Sequence, residues 1–148
     1  MGQYGVYPDA FYRVSVKAVI RNDSGHVLCV TETERDLWEL PGGGLDHGET
    51  IQQGLSRELA EEIGYIGTFT YSYADISTLY DPGGERCIMN IVFDVILDSP
   101  DSIQPGKDVF QMEYKDPKQF RSVNYRSGQL IYKHVIDRNF SVRFDQSE

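Results

Sequence analysis

Residues 43–65 read GGLDHGETIQQGLSRELAEEIGY, and this stretch says more about the chain than any other. It places acidic residues at helical spacing directly after a glycine-rich turn. Glu58 lies three positions before Glu61 and four before Glu62, so the three carboxylates project from one side of a helix. Like charges this close repel one another. A divalent cation is the natural compensation, because hard cations bind carboxylate oxygens.

The same stretch predicts where the helix begins and ends. Thr50 and Gln53 form a capping-box pair, and Gly64 is placed to end the helix in a left-handed conformation. We therefore expect a helix from about residue 50 to residue 63 with one face in a core. The apolar stripe of this helix consists of Leu55, Leu59 and Ile63.

Strands are predicted on the N-terminal side of the helix. Residues 11–20 alternate between apolar and polar side chains, as in a half-buried strand. The turn cluster at 22–25 and the apolar run at 27–31 predict a second strand and a hairpin. Residues 38–40 predict a short strand, which Pro41 and the glycines after it stop.

On the C-terminal side, residues 66–80 and 87–97 are rich in strand-forming residues, and residues 98–108 predict a loop. A further strand is expected near 109–114 or 120–124, and an amphipathic helix over 127–138. Strands before and after a central helix, with another helix at the end, indicate a mixed α/β layered domain.

The composition limits the class of protein. The length of 148 residues suits one domain with a core, and residues 1–10 are expected to form an irregular arm. The net charge of −9 argues against a nucleic acid polymer as partner, since such partners need a basic surface. No apolar run reaches the roughly 20 residues of a membrane span. No signal peptide is recognisable, so a cytoplasmic protein is expected.

The whole pattern of residues 43–65 resembles the signature box of the Nudix hydrolases, the MutT-like enzymes that cleave diphosphate linkages in nucleoside diphosphates joined to another group. Tyr65, where the family usually has an aliphatic residue, is a mild departure. The resemblance implies an α/β/α sandwich with a mixed central β-sheet, a catalytic loop-helix-loop and a C-terminal helix. The matching positions are Gly43, Glu49, Arg57, Glu58, Leu59, Glu61, Glu62 and Gly64.

The resemblance also implies roles for these residues. The three glutamates of the helix are expected to bind Mg²⁺ or Mn²⁺, together with the backbone carbonyl of Gly43. Arg57 lies four positions before Glu61 and can hold a carboxylate in a bidentate pair. Glu49 opens the helix and is expected to orient Arg57 or the turn.

The general base stays open between an acid of the box and an acid of a later loop. Glu61 is the candidate within the box, and Asp108 and Glu113 are the candidates further along the chain. Asp108 lies in a segment rich in Pro and Gly that is suited to a mobile lid. A base must reach the proton of the attacking water, so only geometry can choose.

Residues outside the box bear on the substrate. Trp38 either lines the substrate pocket or belongs to the core. Tyr80 and Pro82 lie near positions where relatives that act on dinucleoside polyphosphates and on ADP-ribose have a tyrosine and a proline. Glu113 is a further candidate for substrate contact. The aromatic residues at the N-terminus stack on a base, form a homodimer contact or belong to an arm that is ordered only in a crystal: Tyr4, Tyr7, Phe11 and Tyr12.

These observations predict a hydrolase that uses Mg²⁺ or Mn²⁺ to activate water and cuts a diphosphate bond. The substrate is expected to be a small nucleotide, namely a nucleoside triphosphate, an ADP-ribose-like compound or a nucleotide sugar. The alternative is a non-catalytic module that binds and senses a nucleotide. The box specifies the bond and not the groups on either side of it.

Overall fold

The computed structural model describes residues 11–81 and 86–138. The predictions for the arm at residues 1–10 and for Pro82 lie outside the described residues. The strands are β1 (Tyr12–Val19), β2 (Val27–Thr31), β3 (Gly42–Gly44), β4 (Phe69–Asp81), β5 (Arg86–Leu97) and β6 (Gln111–Lys115). The helices are α1 (Ile51–Ile63) and α2 (Arg126–Val135), with one 3₁₀ turn at Pro117–Phe120.

Two sheets form the centre of the structure. The larger has the order β3-β1-β5-β4, in which β1 runs antiparallel to β3 and parallel to β5. The smaller pairs β2 with β6 in antiparallel orientation. The predicted hairpin of β1 and β2 is therefore only partly present. Arg21 and Val27 form a bridge at its base, and the two strands then enter different sheets.

The prediction of a strand at residues 38–40 is wrong, because the glycines after it form the strand instead. Glu39 makes only an isolated bridge with Val30, whereas Gly42–Gly44 pair with β1. Gly42 has a φ of +131°, and a Cβ there would lie 2.0 Å from the carbonyl oxygen of Val16. The glycine is thus required by the close approach of β3 to β1.

The predicted ends of α1 are confirmed. The Thr50 side chain accepts from the backbone N–H of Gln53, and the Gln53 side chain accepts from the backbone N–H of Thr50. Gly64 has a φ of 63° and ends the helix in the left-handed region. The predicted stripe of Leu55, Leu59 and Ile63 is buried. These local signals agree with the tertiary packing, which is why they were sufficient.

Each face of the sheets carries its own hydrophobic core, which gives a three-layer arrangement of mixed α+β class, as predicted. Alternate residues of β1 enter opposite cores, since Val16 packs with the α1 side and Val19 with the α2 side. Trp38 belongs to the α2 side, together with Phe120 and Ile131. None of the described helices has the length and apolar character to cross a membrane.

The C-terminal part follows the first of the two predicted alternatives. The strand is β6, and Pro117–Phe120 is a 3₁₀ turn. The closing helix, α2, ends three residues before the predicted position 138. Its inward face includes Ile131 and His134, both of which are buried.

The loop between β5 and β6 is tied to the end of α1. The backbone N–H groups of Gln104 and Gly106 donate to carbonyls in the last turn of α1, at 2.9 and 2.8 Å. A Cβ at Gly106 would lie 1.7 Å from the carbonyl oxygen of Glu61. The segment that carries Asp108 is therefore bonded to α1 on the N-terminal side of Asp108, and its role as a mobile lid stays a prediction.

Candidate active site

Arg57 organises the start of α1. Its Nε and Nη2 each donate to a different oxygen of Glu49 at 2.8 Å, and Nη2 also donates to the carbonyl of Gly44 at 2.9 Å. The bidentate partner is thus Glu49, while Glu61 receives a single longer bond of 3.3 Å. The bond from Arg57, with help from the backbone N–H of Asp46, lowers the pKa of Glu49 to about 2. Glu49 therefore stays ionised and keeps Arg57 in place.

Glu58 lies directly behind the glycine turn. It is 8% exposed, and its Oε1 accepts from Nη1 of Arg57 at 2.9 Å. A Cβ at Gly43 would lie 2.6 Å from the same oxygen, so the glycine leaves room for the carboxylate. Burial raises the pKa of Glu58, while Arg57 acts in the opposite direction. A carboxylate kept here at such a cost in solvation is typical of a ligand site.

The side chains of Glu62 and Glu61 differ in burial and in the hydrogen bonds that hold them. Oε2 of Glu62 accepts from the backbone N–H of Gly42 at 2.8 Å, and burial raises the pKa of Glu62 to about 7 against the positive charge of Lys17. The Glu61 side chain is 59% exposed, and its one bond within the described residues is the 3.3 Å bond from Arg57. Glu61 is therefore the helix carboxylate that is most available to a water molecule or a ligand.

These carboxylates line a cavity of about 390 Å³, which we call the acidic cavity. Among the described residues that line it, Lys17 is the one cation. One oxygen each of Glu32, Glu39 and Glu62 lie within 4.8 Å of one another. Hard oxygen donors with uncompensated negative charge fit Mg²⁺ or Mn²⁺. The acids of this cavity are Glu32, Glu39, Glu58, Glu61, Glu62 and Asp108.

Sequence reasoning missed three residues of the acidic cavity. Glu32 follows the end of β2, Glu39 lies two positions before Pro41, and Lys17 is part of the polar face of β1. The one available signal was that Glu32 directly follows the strand predicted at 27–31. Only the pairing of strands brings them to the box.

A second cavity of about 370 Å³ adjoins the first between the larger sheet and α2, and we call it the apolar cavity. It shares Lys17 and Glu39 with the acidic cavity. Its polar and charged groups include Arg13, Arg126, Asn90 and Ser127. Its apolar walls are Leu40, Leu79, Ile88 and Leu130.

The structure brings Asp108 into the acidic cavity but leaves three predicted substrate residues outside both cavities. Trp38 is 3% exposed in the core, with Nζ of Lys115 at 4.1 Å from its ring centroid. Tyr80 is 63% exposed on β4. Glu113 lies on β6, where its carboxylate is 3.4 Å from Lys115. The position of Trp38 agrees with the core alternative rather than with the pocket.

A buried polar network that the sequence did not indicate joins α2 to β4. Nδ1 of His134 lies 2.9 Å from Oδ2 of Asp75, and Nε2 lies 3.0 Å from Oγ of Ser77. Asp75 is fully buried, and Nζ of Lys133 is 3.8 Å from the same oxygen. Burial lowers the pKa of His134 in spite of the neighbouring carboxylate. The network therefore holds α2, and with it one wall of the apolar cavity.

Residues 11–135 match the family profile described as the NUDIX domain. A curated relative, the RNA pyrophosphohydrolase of Ruthia magnifica subsp. Calyptogena magnifica, is 49% identical over 53 residues. That match covers 36% of this chain and 30% of the relative, so the similarity spans about a third of the curated protein.

Two solved structures have a similar fold. The solution structure of the E. coli ORF135 protein aligns with a TM-score of 0.69 and 20% identity, covering 94% of this chain and 99% of that one. The crystal structure of the MutT protein from Methanosarcina mazei Go1 aligns with a TM-score of 0.65 and 21% identity, covering 86% and 96%. At this identity the likeness concerns the fold alone.

Proposed function

The chain belongs to the NUDIX domain family, and on this premise we propose that it is a divalent-metal-dependent hydrolase of nucleoside diphosphate derivatives. It cuts the diphosphate bond of a nucleoside triphosphate, an ADP-ribose-like compound or a nucleotide sugar. The observation that carries the proposal is the acidic cavity, which is lined by six acids and one lysine. Arg57 pairs with Glu58 and Glu61 from outside this lining, and negative charge remains in excess even when it is counted.

The residues of the acidic cavity fit the metal that this chemistry needs. Glu58, Glu61 and Glu62 would hold Mg²⁺ or Mn²⁺ with the carbonyl of Gly43, and the approach of Glu58 to Gly43 supports this grouping. Bound there, the ion would neutralise the diphosphate and lower the pKa of a water molecule. Glu32 and Glu39 extend the oxygen donor set around Glu62.

The other side chains of the box are assigned positioning and general-base roles. Arg57 and Glu49 hold the turn and Glu58 in position through their bidentate pair. Glu61 fits the role of general base, because it is exposed and its bond to the protein is the longest among the three helix glutamates. Asp108 lines the same cavity and is the second candidate for this role.

The apolar cavity suits the nucleoside. Its apolar walls can bury a base, and its polar groups can orient it. A small nucleotide could therefore place its base there and its diphosphate over the acids. The net charge of −9 favours such a ligand over a nucleic acid polymer. The curated relatives are named RNA pyrophosphohydrolases, and a short RNA is therefore included as one candidate substrate in the test.

The test is hydrolysis of a panel with Mg²⁺ or Mn²⁺, with products identified by mass in ¹⁸O-labelled water. The panel contains nucleoside triphosphates, ADP-ribose, nucleotide sugars and a short RNA with a 5′-triphosphate. Glu61→Gln is expected to lower kcat about 10²- to 10³-fold on any compound that the wild type cleaves. Glu34→Gln, which alters an exposed acid outside both cavities, is the matched control and should keep full activity.

Equal turnover by Glu61→Gln and the wild type would remove Glu61 from the mechanism and transfer its proposed role to Asp108. Absence of turnover on the whole panel, combined with binding of an intact nucleotide, would replace the hydrolase with the non-catalytic sensing module. Cleavage of the RNA alone would show that the small-nucleotide assignment is wrong.

A further inference from the structure

Lys17 lies where the two cavities meet. It is part of β1, and its register partner on β3 is Gly42. Its Nζ donates to the carbonyl oxygens of Gly42 at 2.9 Å and of Leu40 at 3.2 Å. Within the described part of the chain, Lys17 and Glu39 line both the acidic and the apolar cavity. A nucleotide that occupied both cavities would pass this ammonium group.

Two of the three N–H donors of the Lys17 ammonium group are used within the described part of the chain. Lysine carries three N–H donors, and the two carbonyls use two of them. Oε1 of Glu39 is 3.8 Å away, which is beyond the range of a hydrogen bond. The Lys17 side chain is 18% exposed. No residue that the structure describes takes the third donor, which is therefore available to a ligand.

Arg57 cannot take the same role, although it is also close to the acids. Its donors are committed to Glu49, Glu58, Glu61 and the carbonyl of Gly44. Lys17 is the one cation among the described residues that line the acidic cavity. A diphosphate that enters this cavity meets repulsion from every other charged side chain that lines it.

We propose that Lys17 binds the phosphate joined to the nucleoside and thereby sets the position of the diphosphate over the acids. Its free N–H donates to a non-bridging oxygen of that phosphate, and Lys17 transfers no proton. The inference rests on the proposed function, because it needs a nucleotide that spans both cavities. It makes Lys17 a residue that selects substrates in which the diphosphate is attached directly to a nucleoside.

A purely structural role for Lys17 leads to a different result. If Lys17 only tied residues 40–42 to β1, its loss would displace the turn beside Gly43 and weaken metal and nucleotide binding together. If Lys17 binds phosphate, its loss weakens nucleotide binding, while the acids attract a cation more strongly. The sign of the change in metal affinity separates the two roles.

The test measures Mn²⁺ binding and nucleotide binding separately by calorimetry. ADP, CDP, GDP and UDP, each with saturating Mn²⁺, identify the diphosphate that the wild type binds most tightly. Lys17→Met is expected to weaken the binding of this compound about 10- to 100-fold, as for loss of a charge-assisted hydrogen bond. Mn²⁺ alone is expected to bind about two- to tenfold more tightly, because the acids lose a nearby positive charge.

Two further variants keep the result unambiguous. Lys118→Met removes an exposed lysine outside both cavities and should change neither affinity. Lys17→Gln keeps N–H donors for the carbonyls without the charge, and it replaces Lys17→Met if thermal unfolding shows that the latter does not fold. The Gln variant should show the same two changes of opposite sign.

Unchanged affinity for the diphosphate, or weaker binding of Mn²⁺, would overturn the role of Lys17. Failure of the proposed function has another signature. In that case Lys17→Met still weakens diphosphate binding, yet the wild type hydrolyses no compound of the panel. A wild type that binds none of the four diphosphates would overturn both.

Discussion

The ionisable side chains beside α1 and those beside α2 handle charge in opposite ways. The acidic cavity beside α1 has six acids and one lysine. The group beside α2, which we call the α2 cluster, has two carboxylates and three permanent cations around one histidine. Its members are Arg21, Asp75, Asp94, Lys133, His134 and Arg138.

This difference in charge is what we expect between a ligand-binding site and a cluster of ion pairs that stabilises the fold. Burial raises the pKa of Glu62 to about 7, because Lys17 and one backbone N–H do not offset the lost solvation. Burial also acts to raise the pKa of Asp94, but bonds from Arg138 and Arg21 outweigh it and hold the pKa below 3.8. The excess negative charge of the acidic cavity fits a cationic ligand, whereas each carboxylate of the α2 cluster has cationic partners within the protein.

The largest expected effect comes from removing an acid on the unbalanced side. Glu62→Gln should lower hydrolysis on the order of 10³-fold, because the variant loses a proposed metal ligand and its charge. Without metal, its free energy of unfolding at pH 8 should equal or exceed that of the wild type, since a buried charge among like charges is removed. Denaturant unfolding with EDTA measures this.

Adding metal should reverse the order of stability between the wild type and Glu62→Gln. At about 100 times its Kd, Mn²⁺ should stabilise the wild type by roughly 2.7 kcal/mol, and Glu62→Gln should lose most of this gain. A metal-free Glu62→Gln protein that is clearly less stable than the wild type would mean that the acids of the cavity also stabilise the fold.

A smaller but clear effect is expected in the α2 cluster. His134→Leu removes the hydrogen bond to Asp75 and leaves this fully buried carboxylate with the longer 3.8 Å contact to Nζ of Lys133, which should cost about 3 kcal/mol of unfolding free energy. Adding Asp75→Val should recover about 1 kcal/mol or more, because the pair is then replaced by apolar groups. Denaturant unfolding of both single variants and the double variant tests this. Purely additive losses would contradict the pairing.

The smallest effect concerns Asp94, which is partly exposed. Asp94→Asn should cost about 1 kcal/mol at pH 7, with screening by solvent taken into account. The folded state holds the pKa of Asp94 below its ordinary 3.8, so this stabilisation is present above pH 3.8 and is lost as the pH falls through the lowered pKa. The difference between wild type and variant should therefore shrink below about pH 4. A difference that stays constant to pH 2 would exclude the charge as its cause.

The residues of the box could be placed from the chain alone, because their relations are local. The capping pair of Thr50 and Gln53, the end at Gly64 and the common side of the three glutamates depend on helical spacing within one element. The same reasoning placed a strand at residues 38–40, whereas the strand is Gly42–Gly44. That strand forms only because β1 lies against it, which no local pattern records.

The amino-acid sequence was therefore enough for α1 and for the common side of its three glutamates, since both follow from spacing within about a dozen residues. The order of strands and helices, together with the resemblance of the box, was enough for the fold class. The folded chain was needed to add Lys17, Glu32 and Glu39 to the acids and to place Trp38 in the core. It was also needed to join Asp75 to His134, 59 residues apart. Contacts between distant residues depend on strand register and on the layer in which each side chain is buried, and spacing along the chain carries no information about either.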